Sequence, residues 1–286
     1  MKKICITADC TCDLPEDMLK KYNIDLVYYY IVTSSGRFRD LDEITASNIF
    51  EYLGENGGKT DTKPPMPFEF REFFSRKLEE YEEVIHITIS SKISSGVDHA
   101  EEAVRQLGED GKRVHVFDSL HLSTGMGHLA LAAAKMAEEG KTAEEIVACI
   151  SEMRQRVSTS FIAMSANQLY NNGLVSKTVN NICNFFSIHP VLHMKDGNLK
   201  LKSIQIGNYE RCIIRYVRNS LKSSERIKKD LLFITHAGCL IKDIRLVQRE
   251  INRLASFDSV LVSKASATIS GNSGPRTVGL LYVNEK

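Results

Sequence analysis

The chain has 286 residues, of which 43% are hydrophobic and 26% charged, as in a globular protein with large apolar cores. Its 37 lysines and arginines balance 36 aspartates and glutamates, so the net charge is +1 and nucleic acid is not an expected partner. The first apolar stretch is interrupted by Thr7 and Asp9, which predicts no signal peptide. Uncharged segments are rich in Ser, Asn and Gln, so stable membrane insertion is not expected. Seven scattered cysteines, an odd number, are typical of reduced thiols in the cytoplasm, where we expect the protein.

Strands and helices alternate in the first half of the chain, which indicates a mostly parallel sheet covered by helices on both faces. Thr142 and Glu145 have the spacing of a helix capping box. The predicted strands cover residues 3–8, 24–32, 83–89 and 112–117, and the predicted helices cover residues 16–22, 44–53, 68–81, 97–107, 125–139 and 142–156.

The regular alternation of strands and helices ends after about residue 157. We therefore predict two domains, 1–157 and 158–286, with a cleft between them. Asp196 and Gly197 are typical of a hairpin turn joining two strands. The predicted strands of this half cover residues 161–164, 190–194, 199–206, 231–235, 260–263 and 277–283, the helices cover residues 179–186, 209–221 and 241–255, and residues 270–275 form a loop.

The chain lacks the sequence patterns of common enzymes. It contains no G-x-S-x-G, no H-E-x-x-H, no phosphate-binding loop and no dinucleotide-binding glycine pattern. Cys10 and Cys12 are not accompanied by a second Cys or His pair at zinc-ligand spacing. We therefore predict no catalytic residues, no metal and no cofactor.

Three loops rich in hydroxyl groups are the candidate binding elements. Residues 90–96 follow a buried strand and open a helix, so their hydroxyl and backbone N–H groups suit a carboxylate or phosphate; simple helix capping is the alternative. Residues 60–67 contain three of the six prolines, which would hold a hydroxyl in place; an ordinary turn is the alternative. Residues 267–275 could add donors through Asn272 and Ser273, although a glycine-rich turn between strands would look similar.

These loops, in this order, resemble the DegV family of bacterial fatty-acid-binding proteins, over nearly the whole chain. One match is weak, but six at compatible spacing are specific. ITADCTCDL (residues 6–14) is similar to the family's T-D-S-T-x-D-L, DTKPPMPFEF (61–70) to K-T-S-Q-P-S-P-G-E-F, ISSKISSG (89–96) to I-S-S-x-L-S-G-T, VFDS (116–119) to V-I-D-S, IHPVL (188–192) to I-K-P-I-L, and ISGNSGP (269–275) to I-G-T-H-T-G-P.

The resemblance implies a two-domain α/β fold, each domain a mostly parallel sheet flanked by helices, with a long-chain fatty acid such as palmitate in a tunnel between them. It implies that Thr62 and Ser94 hold the carboxylate. The additional headgroup candidates are Ser95, Gly96, Asn272 and Ser273. The resemblance also implies a carrier rather than an enzyme, and that some members present the acid to the catalytic subunit of a fatty-acid kinase.

The chain departs from the family pattern at several positions. Lys63 and Pro64 replace Ser and Gln, Ser95-Gly96 replaces Gly-Thr, and Asn272 replaces a frequent His. The family's basic R-R-G-G-R segment reads NNGLV at residues 171–175, which removes arginines and puts the kinase partner in doubt. Lipid binding is less affected, because Thr62 and Ser94 are both present.

Two other questions stay open at the level of sequence. The apolar wall for an acyl chain could come from residues 68–74, 120–131 or 182–186, although such stripes are more often plain core. The alternative functions are a phosphotransfer enzyme or hydrolase using Ser or His on the same loops, and a sensor or adaptor. His121, close to Asp118 and Ser119, is the local candidate base.

Overall fold

The computed structural model describes residues 2–56, 61–173, 176–177 and 187–286. The predicted helix at 179–186 therefore lies outside the described residues. The strands are β1 Lys2–Asp9, β2 Ile24–Val27, β3 Tyr30–Thr33, β4 Gly36–Arg39, β5 Asp61–Lys63, β6 Tyr81–Thr88, β7 Val114–Asp118, β8 Val157–Ile162, β9 Ile188–Lys195, β10 Asn198–Ile206, β11 Ile227–Ala237, β12 Val260–Lys264 and β13 Thr277–Asn284. The α-helices are α1 Glu16–Lys21, α2 Ala46–Asn56, α3 Pro67–Glu80, α4 Gly96–Gln106, α5 Ser123–Glu138, α6 Ala143–Arg154, α7 Asn167–Asn171, α8 Tyr209–Ser220, α9 Ile241–Leu254 and α10 Ala267–Ser273.

The first half of the chain forms the predicted parallel sheet, with strand order β2-β1-β6-β7. Both faces of its central strands are buried, as expected for a parallel sheet between helices. Ile6 and Ile87 pack in the core that includes α5, whereas Cys5 and Val84 pack in the core formed with α3 and α4.

Helix α5 joins the two large sheets, because it contacts β1 on one side and β8 and β13 on the other. Its close approach to β8 requires glycine at position 125: a Cβ there would lie 2.0 Å from Thr159 Oγ1. Helix α6 follows, and Thr142 and Glu145 form the predicted capping box, with Glu145 N–H donating to Thr142 Oγ1 at 3.3 Å and Thr142 N–H to Glu145 Oε2 at 2.9 Å.

The second large sheet is mixed, with strand order β10-β9-β8-β13-β11-β12. Among the described strands, β11 and β12 pair in parallel and the other four neighbouring pairs are antiparallel. The α/β class is confirmed, but the expectation of a mostly parallel sheet in this half is wrong. The reason is that β9 and β10 form a tight hairpin and β13 enters the middle of the sheet between β8 and β11. The division into domains at residue 157, where β8 begins, stays a prediction.

A third, small sheet corrects the predicted strand at 24–32. The chain leaves the parallel sheet after Val27, and Tyr29 N–H donates to Cys10 Sγ at 3.2 Å before a new strand begins at Tyr30. This strand, β3, pairs with β4 and β5 in the order β4-β3-β5. No described helix is long and apolar enough to cross a membrane.

Candidate ligand-binding site

A cavity of about 350 Å³ lies where the parallel sheet, the small sheet and the mixed sheet meet. Its volume is in the range of sites for small organic ligands, about 300–1,000 Å³. Apolar side chains from both halves of the chain line it, together with hydroxyl and amide groups. The apolar ones include Ile89, Ile93, Leu122, Phe161, Leu169, Leu199 and Leu281, and the polar ones include Tyr29, Thr62, Ser94, Ser95, His236, Asn272 and Ser273.

Thr62 lies on β5, opposite Ile31 of β3, which fixes its backbone in the small sheet. Asn272 Nδ2 lies 3.4 Å from Thr62 Oγ1 and 2.8 Å from the Thr268 carbonyl oxygen. Because the amide group donates, the Thr62 hydroxyl keeps its own hydrogen for another acceptor. Asn272 therefore leaves Thr62 able to donate a hydrogen bond to a ligand.

Ser94 lies in the turn between β6 and α4, and its backbone N–H donates to the Ser90 carbonyl at 3.1 Å. Its Oγ accepts the Gly96 N–H at 3.1 Å and lies 2.9 Å from the Tyr29 hydroxyl. Ser95 occupies the N-cap of α4, but its side chain makes no capping hydrogen bond in the described chain. Helix capping alone therefore does not account for these serines.

Helix α10 carries Asn272 and Ser273, and it corrects the prediction of a loop over residues 270–275. Asp40 holds its first turn, since the two carboxylate oxygens accept the Ala267 and Thr268 N–H groups at 2.8 Å each. Ser273 is buried, and its Oγ has no hydrogen-bond partner among the described residues. A buried hydroxyl without a partner is costly unless a ligand or water satisfies it.

Asp13 holds the residue just before α10. Its Oδ1 accepts the Ser266 N–H at 2.8 Å and its Oδ2 accepts the Ser123 hydroxyl at 2.6 Å. Burial raises the pKa of Asp13 to about 7, and the Asp40 charge adds to this effect. Burial also raises the pKa of Asp40 above its ordinary value. Sequence reasoning missed both carboxylates as structural supports of the cavity.

The predicted apolar wall is partly wrong. Phe70 and Phe74 face away from the cavity and pack around His86, at ring-centroid distances of 5.4 and 5.3 Å. Leu122, within the second predicted segment, does line the cavity. The third predicted segment, residues 182–186, lies outside the described residues.

The His121 side chain does not pair with the hydroxyl of Ser119, its neighbour in sequence. Its Nε2 lies 3.0 Å from the Arg154 carbonyl oxygen, so this nitrogen donates, and Nδ1 accepts from the Thr159 hydroxyl at 3.0 Å. Burial lowers the pKa of His121 to about 4, which makes it a weak base at neutral pH. Its hydroxyl partner is Thr159, far away in sequence, and the hydroxyl of nearby Ser119 donates to the His121 carbonyl oxygen instead.

Over the described parts of the chain, no three His, Cys, Asp or Glu side chains are grouped to hold a metal ion. The region expected to carry a basic segment is described at residues 171–173 and not at 174–175. Asn172 lines the cavity, and its Nδ2 donates to the Gly271 carbonyl at 3.2 Å.

Comparison with known proteins decides the family. The model of a family described as "Uncharacterised protein, DegV family" matches residues 3–285. A DegV domain-containing protein of Caldanaerobacter subterraneus subsp. tengcongensis is 31% identical over 285 residues, which cover 99% of each chain. The chain belongs to the DegV family.

Two other DegV relatives are named for what they bind. A fatty acid-binding protein of Thermotoga maritima is 28% identical over 294 residues, covering 97% of this chain and 96% of that one. The solved structure of a fatty-acid-binding DegV family protein from Thermus thermophilus superimposes with a TM-score of 0.89 at 25% identity, covering 99% of both chains. The resemblance and the DegV fold are therefore confirmed. That Thr62, Ser94, Ser95, Gly96, Asn272 and Ser273 bind a headgroup stays a prediction.

Proposed function

We propose that this DegV protein binds a long-chain fatty acid in the cavity and carries it, with Thr62 and Ser94 as donors to the carboxylate. The observation that carries the proposal is that one cavity brings both hydroxyls together with apolar side chains from both halves of the chain. The names of the Thermotoga and Thermus relatives support the same ligand class.

The energetics of such a ligand match this lining. Each buried methylene contributes about 0.8 kcal/mol, so about fifteen contribute on the order of 12 kcal/mol before the costs of ordering. The carboxylate would lose its hydration, so it requires hydrogen-bond donors within the cavity. The Thr62 hydroxyl keeps its hydrogen and Ser273 has no partner in the described chain, so both can meet this need.

We place the protein among carriers rather than enzymes, and in the cytoplasm. The weak basicity of His121 supports the first point. The described cysteines are not joined in disulfide bonds, which supports the second. Presentation of the acid to a kinase subunit is implied by the family resemblance alone. The asparagines at 171 and 172 stand where that pattern is basic.

The test of the ligand is native mass spectrometry of the protein purified from a bacterial host. A retained, non-covalent mass equal to an ordinary fatty acid is the expected result. A covalent phosphate or acyl adduct would instead favour the enzyme alternative.

The test of the site is the pair of substitutions Thr62→Val and Ser94→Ala. Each should weaken binding of a fluorescent fatty acid by about 1–3 kcal/mol, because a hydrogen bond to a charged group is lost. Thr33→Val and Ser203→Ala provide the matched control, since both residues lie in strands and neither lines the cavity. Unchanged affinity in the Thr62→Val/Ser94→Ala double variant would show that the headgroup lies elsewhere.

A further inference from the structure

The Tyr29 hydroxyl reaches Ser94 through a space that only glycine leaves open. Tyr29 lines the cavity and is 3% exposed. A Cβ on residue 96 would lie 2.2 Å from its hydroxyl oxygen, so any other residue at this position would displace it. The DegV pattern quoted above has threonine at this position, whereas this chain has Gly96. The approach of Tyr29 to Ser94 therefore depends on glycine at position 96.

The hydrogen atoms between Ser94 and Asp9 can be assigned. The Tyr29 hydroxyl has a single hydrogen and donates it to Asp9 Oδ2 at 3.3 Å; the same oxygen accepts the Ile89 N–H at 2.8 Å. In the contact of 2.9 Å between Tyr29 and Ser94 either hydroxyl could donate, and when Tyr29 donates to Asp9 this contact uses the hydrogen of Ser94. Gly96 N–H occupies one lone pair of Ser94 Oγ. Both hydroxyl hydrogens thus point toward Asp9, and Ser94 has none left for a ligand.

A carboxylate in the cavity changes this assignment. If Ser94 donates its hydrogen to the carboxylate, no hydrogen is left between the Ser94 and Tyr29 oxygens, which lie 2.9 Å apart. The contact is restored when the Tyr29 hydrogen turns from Asp9 to Ser94. Asp9 Oδ2 then keeps the Ile89 N–H, and Asp9 Oδ1 lies 3.3 Å from His86 Nε2. Hydrogen bonds that follow one another in the same direction strengthen each other, so a hydrogen bond from Tyr29 to Ser94 makes the Ser94 hydroxyl a better donor.

We propose that Tyr29 is a positioning residue of the headgroup site, whose hydroxyl reverses its hydrogen bond from Asp9 to Ser94 when a carboxylate binds. The inference rests on the proposed function and deepens it. Burial, with the Asp9 charge adding, raises the pKa of Tyr29 well above its ordinary value, so the hydrogen is retained at neutral pH.

The reversal predicts selectivity between acids and alcohols. A fatty alcohol can donate its own hydrogen to the second lone pair of Ser94 Oγ, so Ser94 can continue to donate to Tyr29. A carboxylate has no hydrogen to give, so it takes the hydrogen of Ser94, and the bond that Ser94 then accepts from Tyr29 strengthens this contact. Loss of the Tyr29 hydroxyl should therefore weaken binding of the acid and leave binding of the alcohol unchanged.

The experiment measures palmitate and hexadecanol by competition against a fluorescent fatty acid. In Tyr29→Phe, palmitate should bind about tenfold more weakly, the equivalent of about 1.4 kcal/mol, and hexadecanol should change by less than about twofold. In the Ser94→Ala background, Tyr29→Phe should change palmitate affinity by less than about twofold, because the hydroxyl acts only through Ser94. The matched control is Tyr30→Phe, which removes a neighbouring hydroxyl bonded to Glu69, and palmitate affinity should not change.

Gly96→Ala is the second variant, should Tyr29→Phe fail to fold. It keeps the tyrosine side chain but pushes its hydroxyl, with the ring that carries it, away from Ser94, and it should give the same selective loss. Three outcomes would overturn the inference. They are an equal loss of affinity for palmitate and hexadecanol, a full effect of Tyr29→Phe in the Ser94→Ala background, and unchanged palmitate affinity in both Tyr29→Phe and Gly96→Ala. If the unmodified protein binds no fatty acid, the proposed function fails first, so the two failures are distinguishable.

Discussion

The turn that carries Ser94 and the helix that carries Ser273 reach the same cavity by different means. The turn is shaped partly by bonds within itself: the Ile93 and Ser94 N–H groups donate to the Ser90 carbonyl, and Lys92 N–H donates to Ser90 Oγ. It is also anchored from a distance, because the Ser90 hydroxyl donates to the Gly197 carbonyl at 2.7 Å. The first turn of α10 is held by carboxylates from the other end of the chain, 227 residues away for Asp40.

This difference indicates that the α10 side of the cavity depends more strongly on distant parts of the chain than the Ser94 side does. A turn that has hydrogen bonds of its own depends less on any single remote residue. A helix of seven residues is too short to be stable alone, so α10 depends on the groups that accept its first N–H groups. Variants of the two carboxylates should therefore affect stability and the α10 side of the cavity before they affect the Ser94 side.

The largest expected effect is the pH dependence produced by Asp13. Its folded pKa of about 7 lies above the unfolded value of 3.8. Its contribution to stability is therefore fully present below about pH 4 and is lost as the pH rises toward 7, by about 1.4 kcal/mol per pH unit within this window. Asp13→Asn should abolish this loss, because an amide does not titrate, and it can still accept the Ser266 N–H and donate to Ser123.

The measurement is urea denaturation of both proteins between pH 4 and 8. Only the difference between variant and parent is informative, because burial lowers the pKa of His128 to about 4 and gives both proteins an opposite slope. The unfolding free energy of Asp13→Asn, relative to that of the parent protein, should increase steadily as the pH rises. A difference that stays constant with pH would show that Asp13 does not titrate in this window.

The next effect is the loss of the carboxylate that begins α10. Asp40→Ala leaves the Ala267 and Thr268 N–H groups buried without an acceptor, which should cost about 2–4 kcal/mol of unfolding free energy. Urea denaturation at pH 7 measures it, and Asp42→Ala is the control because its exposed pair with Arg39 is worth little. Hydrogen exchange should also rise at α10 and stay unchanged at residues 90–94, and a uniform rise would contradict the comparison.

The predictability of the two regions follows from the same difference. The loops that carry Ser94 and Thr62 are predictable because hydroxyls after a strand and beside prolines leave a local pattern, and the family resemblance singles out these two residues. Asp40 left no such pattern, since its role exists only once α10 lies against the small sheet. Residues 267–275 have the glycine and serine content of a loop, and the helix forms because Asp40 and Ser266 cap it.

Two further errors have similar physical causes. The helical spacing of Phe70 and Phe74 showed that one face of α3 is buried, but periodicity does not say against which neighbour. The run Tyr28–Tyr29–Tyr30 has strong β propensity, which predicts one continuous strand. The chain instead passes from the parallel sheet to the small sheet within this run. The position of the Tyr29 hydroxyl depends on a glycine 67 residues further along, which no local pattern shows.

The smallest effect on stability is expected at Ser273, and it separates a ligand role from a structural one. Its hydroxyl has no partner in the described chain, so Ser273→Ala should change the unfolding free energy by less than about 0.5 kcal/mol. If that hydroxyl donates to a bound carboxylate, the same variant should weaken palmitate binding by about 1 kcal/mol or more, because a charge-assisted bond is lost. Ser270→Ala is the matched control on the same helix, since its hydroxyl already donates to the Ala265 carbonyl and it does not line the cavity. It should lose stability rather than affinity. A stability loss in Ser273→Ala with unchanged palmitate affinity would reverse these roles and leave the headgroup to the Thr62 and Ser94 side of the cavity.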